Sequence, residues 1–280
     1  MVRIITDSAA DFEPWELKEK NIDCIPITVM LDDAEYQENV NLTKDQFFAL
    51  LAETGASPRT SQPSPQLLTD LLTETVEAGD EAVYITLSSA LSGTYQTAAM
   101  TCEDVGNEHC FVVDSLDATG GQRLLVEYAV RLRDEGKTAA EIVEAVKAIR
   151  SKVVLYACID TLEYLYRGGR ISQTVYKLGT MAQVKPIIRV SEEGGIEVPA
   201  KAMGMRKGMD MLCKRVEAQK PSKEHNFYVM YTADHSIGDT LADKFRAMGI
   251  EVPEEQIIQV GAGIGSHIGP NACGFVYVAE

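Results

Sequence analysis

The chain has 280 residues, 45% hydrophobic and 24% charged, with 42 Asp+Glu against 26 Lys+Arg for a net charge of −16. That length and balance suit a folded protein with room for two lobes and exclude a disordered chain. The acidic excess makes nucleic acid and anionic lipid surfaces poor partners overall.

In chain order, Met1-Val2-Arg3-Ile4-Ile5-Thr6-Asp7 reaches an acidic residue sooner than a signal peptide does. Residues 2–6 and 24–31 are rich in Ile and Val and predict strands. Residues 43–54 predict a capped helix, with Leu42, Phe47, Leu50 and Leu51 near a 3.6-residue period. A second helix, 66–78, is entered through Ser64-Pro65. Strand 82–86, helix 93–102, strand 110–113 and helices 119–135 and 139–151 follow. Strand–helix alternation with nearly continuous apolar strands predicts a mostly parallel sheet flanked by helices. The second half is less regular. It reads as strand 153–159, a short helix after Asp160, and an antiparallel hairpin of 185–190 and 195–200 around Glu193-Gly194-Gly195. Helix 205–218, strand 226–231, helix 236–248, strand 256–260, a glycine-rich loop and strand 273–278 complete the chain. The expected class is α/β with two lobes, 1–150 and 151–280, the second carrying a mixed sheet. No apolar run reaches the roughly 18–20 residues of a membrane span, so no stable membrane insertion is expected. Cys24, Cys102, Cys110, Cys158, Cys213 and Cys273 are scattered without CxxC, as expected of free thiols in a reducing, cytoplasmic setting.

Four segments gather small hydroxyls, glycines and a cation or imidazole near strand ends. Thr60-Ser61-Gln62-Pro63-Ser64-Pro65 holds its hydroxyls between stiff prolines, although Ser64 also suits a plain helix cap. Ser88-Ser89-Ala90-Leu91-Ser92-Gly93-Thr94-Tyr95 follows a strand and opens a helix, where backbone N–H groups and hydroxyls favour an anion. It is neither a P-loop nor a GxSxG elbow. In Asp160–Ser172, Gly168-Gly169 lies between Arg167 and Arg170, whose guanidinium forks match a carboxylate or phosphate. Gly261-Ala262-Gly263-Ile264-Gly265-Ser266-His267-Ile268-Gly269-Pro270 reads as a close-approach loop ending at a Ser-His pair. His109, His225 and His235 read as structural, and no HxxxH or HExxH pattern suggests a metal.

In this order, and with Thr6-Asp7-Ser8 at the first strand end, these segments resemble the DegV family from end to end. The resemblance implies a two-domain α/β protein that holds a long-chain fatty acid such as palmitate in a cleft between its lobes, without a cofactor or metal. It implies that Thr60 or Ser61 and Ser92 hydrogen-bond the carboxylate beside Gly93 and Thr94, with Arg170 and His267 close by. It further implies transport of the lipid, or its presentation to a separate ATP-dependent fatty-acid kinase subunit. Lys201-Ala202-Met203-Gly204-Met205-Arg206-Lys207 departs from that pattern, because Met203 stands where an arginine is expected. A competing reading makes the chain an acyl hydrolase or transferase, with Ser92 as nucleophile and His267 as base. The sequence names no third group to orient that base. Leu91, Ile264 and Phe275 are candidate walls for the lipid tail, and each is equally an ordinary core residue.

Overall fold

The computed structural model describes residues 1–106, 108–177 and 183–280. Along the first half run β1 (Val2–Asp7), α1 (Pro14–Glu19), β2 (Ile22–Ile25), β3 (Thr28–Leu31), β4 (Ala34–Gln37), α2 (Lys44–Thr54) and β5 (Arg59–Ser61). Then come α3 (Pro65–Glu77), β6 (Glu81–Thr86), α4 (Thr94–Gly106), β7 (Cys110–Asp114), α5 (Thr119–Asp134) and α6 (Ala139–Arg150). The second half begins with β8 (Val153–Cys158), α7 (Glu163–Arg167), α8 (Gln173–Lys177), β9 (Val184–Val190) and β10 (Ile196–Met203). It ends with α9 (Met205–Ala218), β11 (Tyr228–Tyr231), α10 (His235–Ala247), β12 (Ile257–Gln259), α11 (Ala262–Ile268) and β13 (Cys273–Val278).

Strands β2-β1-β6-β7 form a parallel sheet. Successive residues of β1 face opposite sides. Ile4 packs with Val126, Ile142 and Val146 of α5 and α6, and Ile5 with Leu68, Leu72 and Ala98 of α3 and α4. Burial on both faces explains why these strands read as continuous apolar runs. A six-stranded sheet, β10-β9-β8-β13-β11-β12, is antiparallel except for the β11–β12 pair. Phe275 of β13 packs under α9 and α10 with Met209, Leu212 and Phe245. Val276, one residue on, faces Leu124 of α5. Leu125 of that same helix packs on the parallel sheet. Helix α5 is therefore a layer shared by both sheets.

Two expectations change. Residues 24–31 are two strands rather than one, because Pro26 has no N–H to continue a ladder and the chain leaves the parallel sheet there. Strand β3 instead centres a small antiparallel sheet, β4-β3-β5, in which Val29 pairs with Thr60. The segment 261–270 is not a loop: residues 262–268 form helix α11. Among the described residues, no helix is long and apolar enough to cross a membrane, and all six cysteines are free.

Candidate ligand site

The carboxyl ends of β1 and β6 are tied together by Asp7, whose carboxylate accepts the N–H groups of Ala9 (3.1 Å) and Leu87 (2.8 Å). Leu87 lines a cavity of about 80 Å³ walled by β5, the 87–92 turn, α7 and α11. Its position follows the rule that parallel sheets collect ligands at their carboxyl ends. A larger depression, about 1190 Å³, is an open groove among Arg3, Lys20, Arg133 and other charged residues. It lies at the amino ends of β1 and β6 and has no enclosed apolar wall.

Thr60, Ser61, Ser92, Arg170 and His267 all line the smaller cavity. The Thr60 hydroxyl and His267 Nε2 lie 2.8 Å apart and share a hydrogen bond between β5 and α11. His267 Nδ1 is buried with no hydrogen-bond partner among the described residues, packed so closely on Gly168 that a side chain there would strike the ring. Burial, with the Arg170 charge beside it, pushes the imidazole down to about 4, so the ring is neutral at ordinary pH. Ser92 Oγ lies 2.8 Å from the Thr94 hydroxyl and accepts the Thr94 N–H at 3.3 Å, a local cap on α4. Arg170 Nε donates to the Leu91 carbonyl at 3.0 Å and Nη1 to the Gly168 carbonyl. These bonds hold a half-buried guanidinium at the wall, its pKa lowered by desolvation.

Gly93 and Thr94 are not wall residues. Thr94 is buried behind Ser92, and a side chain at Gly93 would lie 3.0 Å from Gln62 Oε1, which accepts the Thr97 hydroxyl at 2.8 Å. Gln62 and Ile196 line the cavity without having been picked out in the sequence. The repeated hydroxyls around Gln62 marked its segment, whereas Ile196 carries no local signal. Ile196 reaches the wall because the β9–β10 turn is pinned to the first half of the chain by Ser88 Oγ, which donates to the Gly194 carbonyl at 2.9 Å.

A second cavity of about 50 Å³ lies between the start of α5 and the mixed sheet, walled by apolar residues such as Leu155, Ile188, Met230 and Val260. The two cavities share the walls Ala118, Ile196, Ile264 and Ile268, the neck at which they adjoin. Of the candidate tail walls, Leu91 and Ile264 line the first cavity and Ile264 also the second. Phe275 points to the opposite face of its sheet.

Away from this site, His235, Asp239 and Glu254 form the one metal-sized cluster of such side chains among the described residues. Nδ1 faces Asp239 at 3.0 Å and Nε2 faces Glu254 at 3.5 Å. The ring thus bridges two carboxylates from opposite edges at the surface.

The sequence pattern of the DegV family, described as an uncharacterised protein family, matches residues 1–280. The chain belongs to the DegV family. A DegV domain-containing protein of Clostridium perfringens is 33% identical over 273 residues, covering 95% of this chain and 93% of that relative. A DegV family protein from Thermus thermophilus, described by its fatty-acid binding, is 29% identical with a TM-score of 0.89, covering 100% of this chain and 99% of that one. A stearic-acid-binding protein from Eubacterium ventriosum shares the fold at 23% identity and a TM-score of 0.89, covering 100% and 98%. The DegV fold thus accounts for both sheets.

Proposed function

We propose that this chain binds a long-chain fatty acid such as palmitate, with the carboxylate in the hydroxyl-lined cavity and the tail running through the neck into the apolar one. The observation that carries this reading is the contiguity of the two cavities. A cavity that bears hydroxyls, His267 and Arg170 on an otherwise apolar wall, beside a wholly apolar one, matches an amphiphile with a single charged end.

The energetics assign different tasks to the two ends. A buried methylene contributes roughly 0.8 kcal/mol, so about 15 of them gain on the order of 12 kcal/mol before the costs of association. A hydrogen bond to a carboxylate adds about 1.5–3 kcal/mol. The tail supplies most of the affinity, and the head chamber sets direction and selects an acid. For that selection, the Thr60 hydroxyl must point at the ligand. We assign the His267 proton to Nε2, so that the ring donates to Thr60 Oγ1 and frees the Thr60 hydrogen for the carboxylate. Ser92 supplies a second donor and Arg170 a nearby positive charge.

Holding rather than reacting is supported by the same geometry. The Ser92 hydroxyl is paired with Thr94 and His267 with Thr60. Nδ1 lacks the acid that would orient a catalytic base. An imidazole titrating at about 4 is also a weak base. We place the protein in the cytoplasm, take the lobe boundary near residue 150 between α6 and β8, and assign presentation to an ATP-dependent fatty-acid kinase subunit as its use. The exposed face for that partner is Lys201, Met203, Arg206 and Lys207.

Organic extraction of the purified protein is expected to yield C14–C18 fatty acids. A clean extract from protein that also fails to take up oleate overturns the proposal.

A further inference from the structure

Helix α11 enters against two buried carboxylates from the other half of the chain. Asp11 Oδ1 accepts the Gly261 N–H at 2.8 Å and Glu38 Oε1 accepts the Gly263 N–H at 3.0 Å. Both acids are about 1% exposed. The first turn of a helix presents unpaired N–H groups, so carboxylates are matched to it in charge and in hydrogen bonding. Each acid is held from behind. The second oxygen of Glu38 accepts the Ser8 hydroxyl at 2.5 Å, and that hydroxyl accepts the Ile27 N–H at 2.9 Å. Asp11 Oδ2 accepts the Thr119 hydroxyl. Lys44 faces the pair, its ammonium 2.8 Å from the Asp11 carbonyl and 2.7 Å from Glu13.

The alternating glycines are the other half of this fit. A side chain at Gly261 would strike Glu38, and one at Gly263 would lie 3.0 Å from Glu38 Oε2 and 3.1 Å from Ile27. One at Gly265 would lie 2.9 Å from the Phe48 ring. The motif brings the helix backbone against acids and aromatic rings of the first half.

Glu38 directly follows β4, and its N–H donates to the Ile27 carbonyl beside β3 at 3.1 Å. Thr60 sits on β5, hydrogen-bonded to that same β3. One small sheet therefore carries both the Thr60 hydroxyl and the clamp on the helix that bears His267. Four residues, about 6 Å of helix, separate Gly263 from His267. The backbone bonds Gly265 N–H to Gly261 carbonyl (2.7 Å) and Gly269 N–H to Gly265 carbonyl (2.8 Å) span that length without a break.

We propose that Glu38 and Asp11 are positioning residues of the head chamber: by clamping the first turn of α11 they set His267 at hydrogen-bond distance from Thr60 and so make the chamber selective for a carboxylate. This rests on the fatty-acid reading above. The test compares hexadecanoate with hexadecan-1-ol, which has the same tail and no charge, on wild type, Glu38→Leu and Gly261→Ala. Glu38→Leu removes the acceptor, and Gly261→Ala drives a methyl against Glu38 while leaving both acids in place and the cavity wall unaltered. Both variants are expected to lose about tenfold of the acid-over-alcohol preference, the scale of one hydrogen bond to a charged group. The His267 Nε2 resonance in ¹⁵N NMR is expected to shift with it. If Glu38→Leu does not fold, Gly261→Ala decides alone. An unchanged preference with an unchanged His267 signal, or equal losses for acid and alcohol, overturns the proposal. Wild type that binds neither ligand removes the fatty-acid reading itself.

Discussion

Thr60 and His267 restrict each other's chemistry. An imidazole that donates to a hydroxyl leaves that hydroxyl one outward hydrogen, and burial keeps the ring neutral so that the pattern holds across ordinary pH. Thr60→Val keeps the shape of the side chain but removes both the outward donor and the partner of Nε2. It is expected to weaken palmitate binding about tenfold or more by titration, whereas Thr60→Ser keeps most of the affinity. Ser92→Ala is expected to weaken binding by a similar factor while the protein stays folded, because it removes from α4 only the 2.8 Å bond to the Thr94 hydroxyl and the 3.3 Å bond from the Thr94 N–H. Binding at the wild-type level in either alanine or valine variant would take that residue out of the site. These hydroxyls were legible in the sequence because small polar residues clustered beside a strand end, and the family resemblance weighted them. Gly93 was marked by the same cluster, yet its smallness serves Gln62.

At the level of elements, the neck formed by Ala118, Ile196, Ile264 and Ile268 joins segments that are far apart in the chain. Isoleucine is stiff at its first torsion, so this constriction has little freedom to widen by rotamer changes alone. Ala118→Phe is expected to fill it. In the wild type, affinity should rise with each added methylene from C8 to C16, and in the variant that rise should stop at a shorter chain. A parallel rise in both would place the tail elsewhere. The strands of the two main sheets and the helices flanking them were readable from apolar runs and 3.6-residue periods, because those elements are long and packed along one face. Strand β5 has three residues and exists through its pairing with β3, so no local period could show it. Helix α11 carries five polar or small residues among seven, and its reason for being helical, the acids at its first turn, lies more than 200 positions away.

Across the whole molecule, four buried carboxyls share one direction of shift. Desolvation raises Asp7 and Asp11 to about 6 and Glu38 and Asp117 to about 7. A carboxyl whose folded pKa is raised stabilises the fold most at low pH, and that contribution is lost as pH rises through the folded value. His267 acts oppositely. Its contribution is complete above the ordinary imidazole value of 6.5 and falls away toward about 4. Between pH 8 and 6.5 the carboxyls act nearly alone, so the urea midpoint is expected to rise as pH is lowered across that window. A flat or falling midpoint would show that the acids are better solvated than their burial indicates. The clamp on α11 also has a consequence in time. Its bonds join residues 250 and 225 positions apart, and the Thr60–His267 bond spans 207. Pairings this remote carry a large closure entropy and form late when a chain folds. On the ribosome, Asp11 and Glu38 emerge long before the backbone groups that will satisfy them. On the proposed function, the capacity to take up lipid therefore arrives last, and a nascent or half-refolded chain stays empty until the molecule around it is finished.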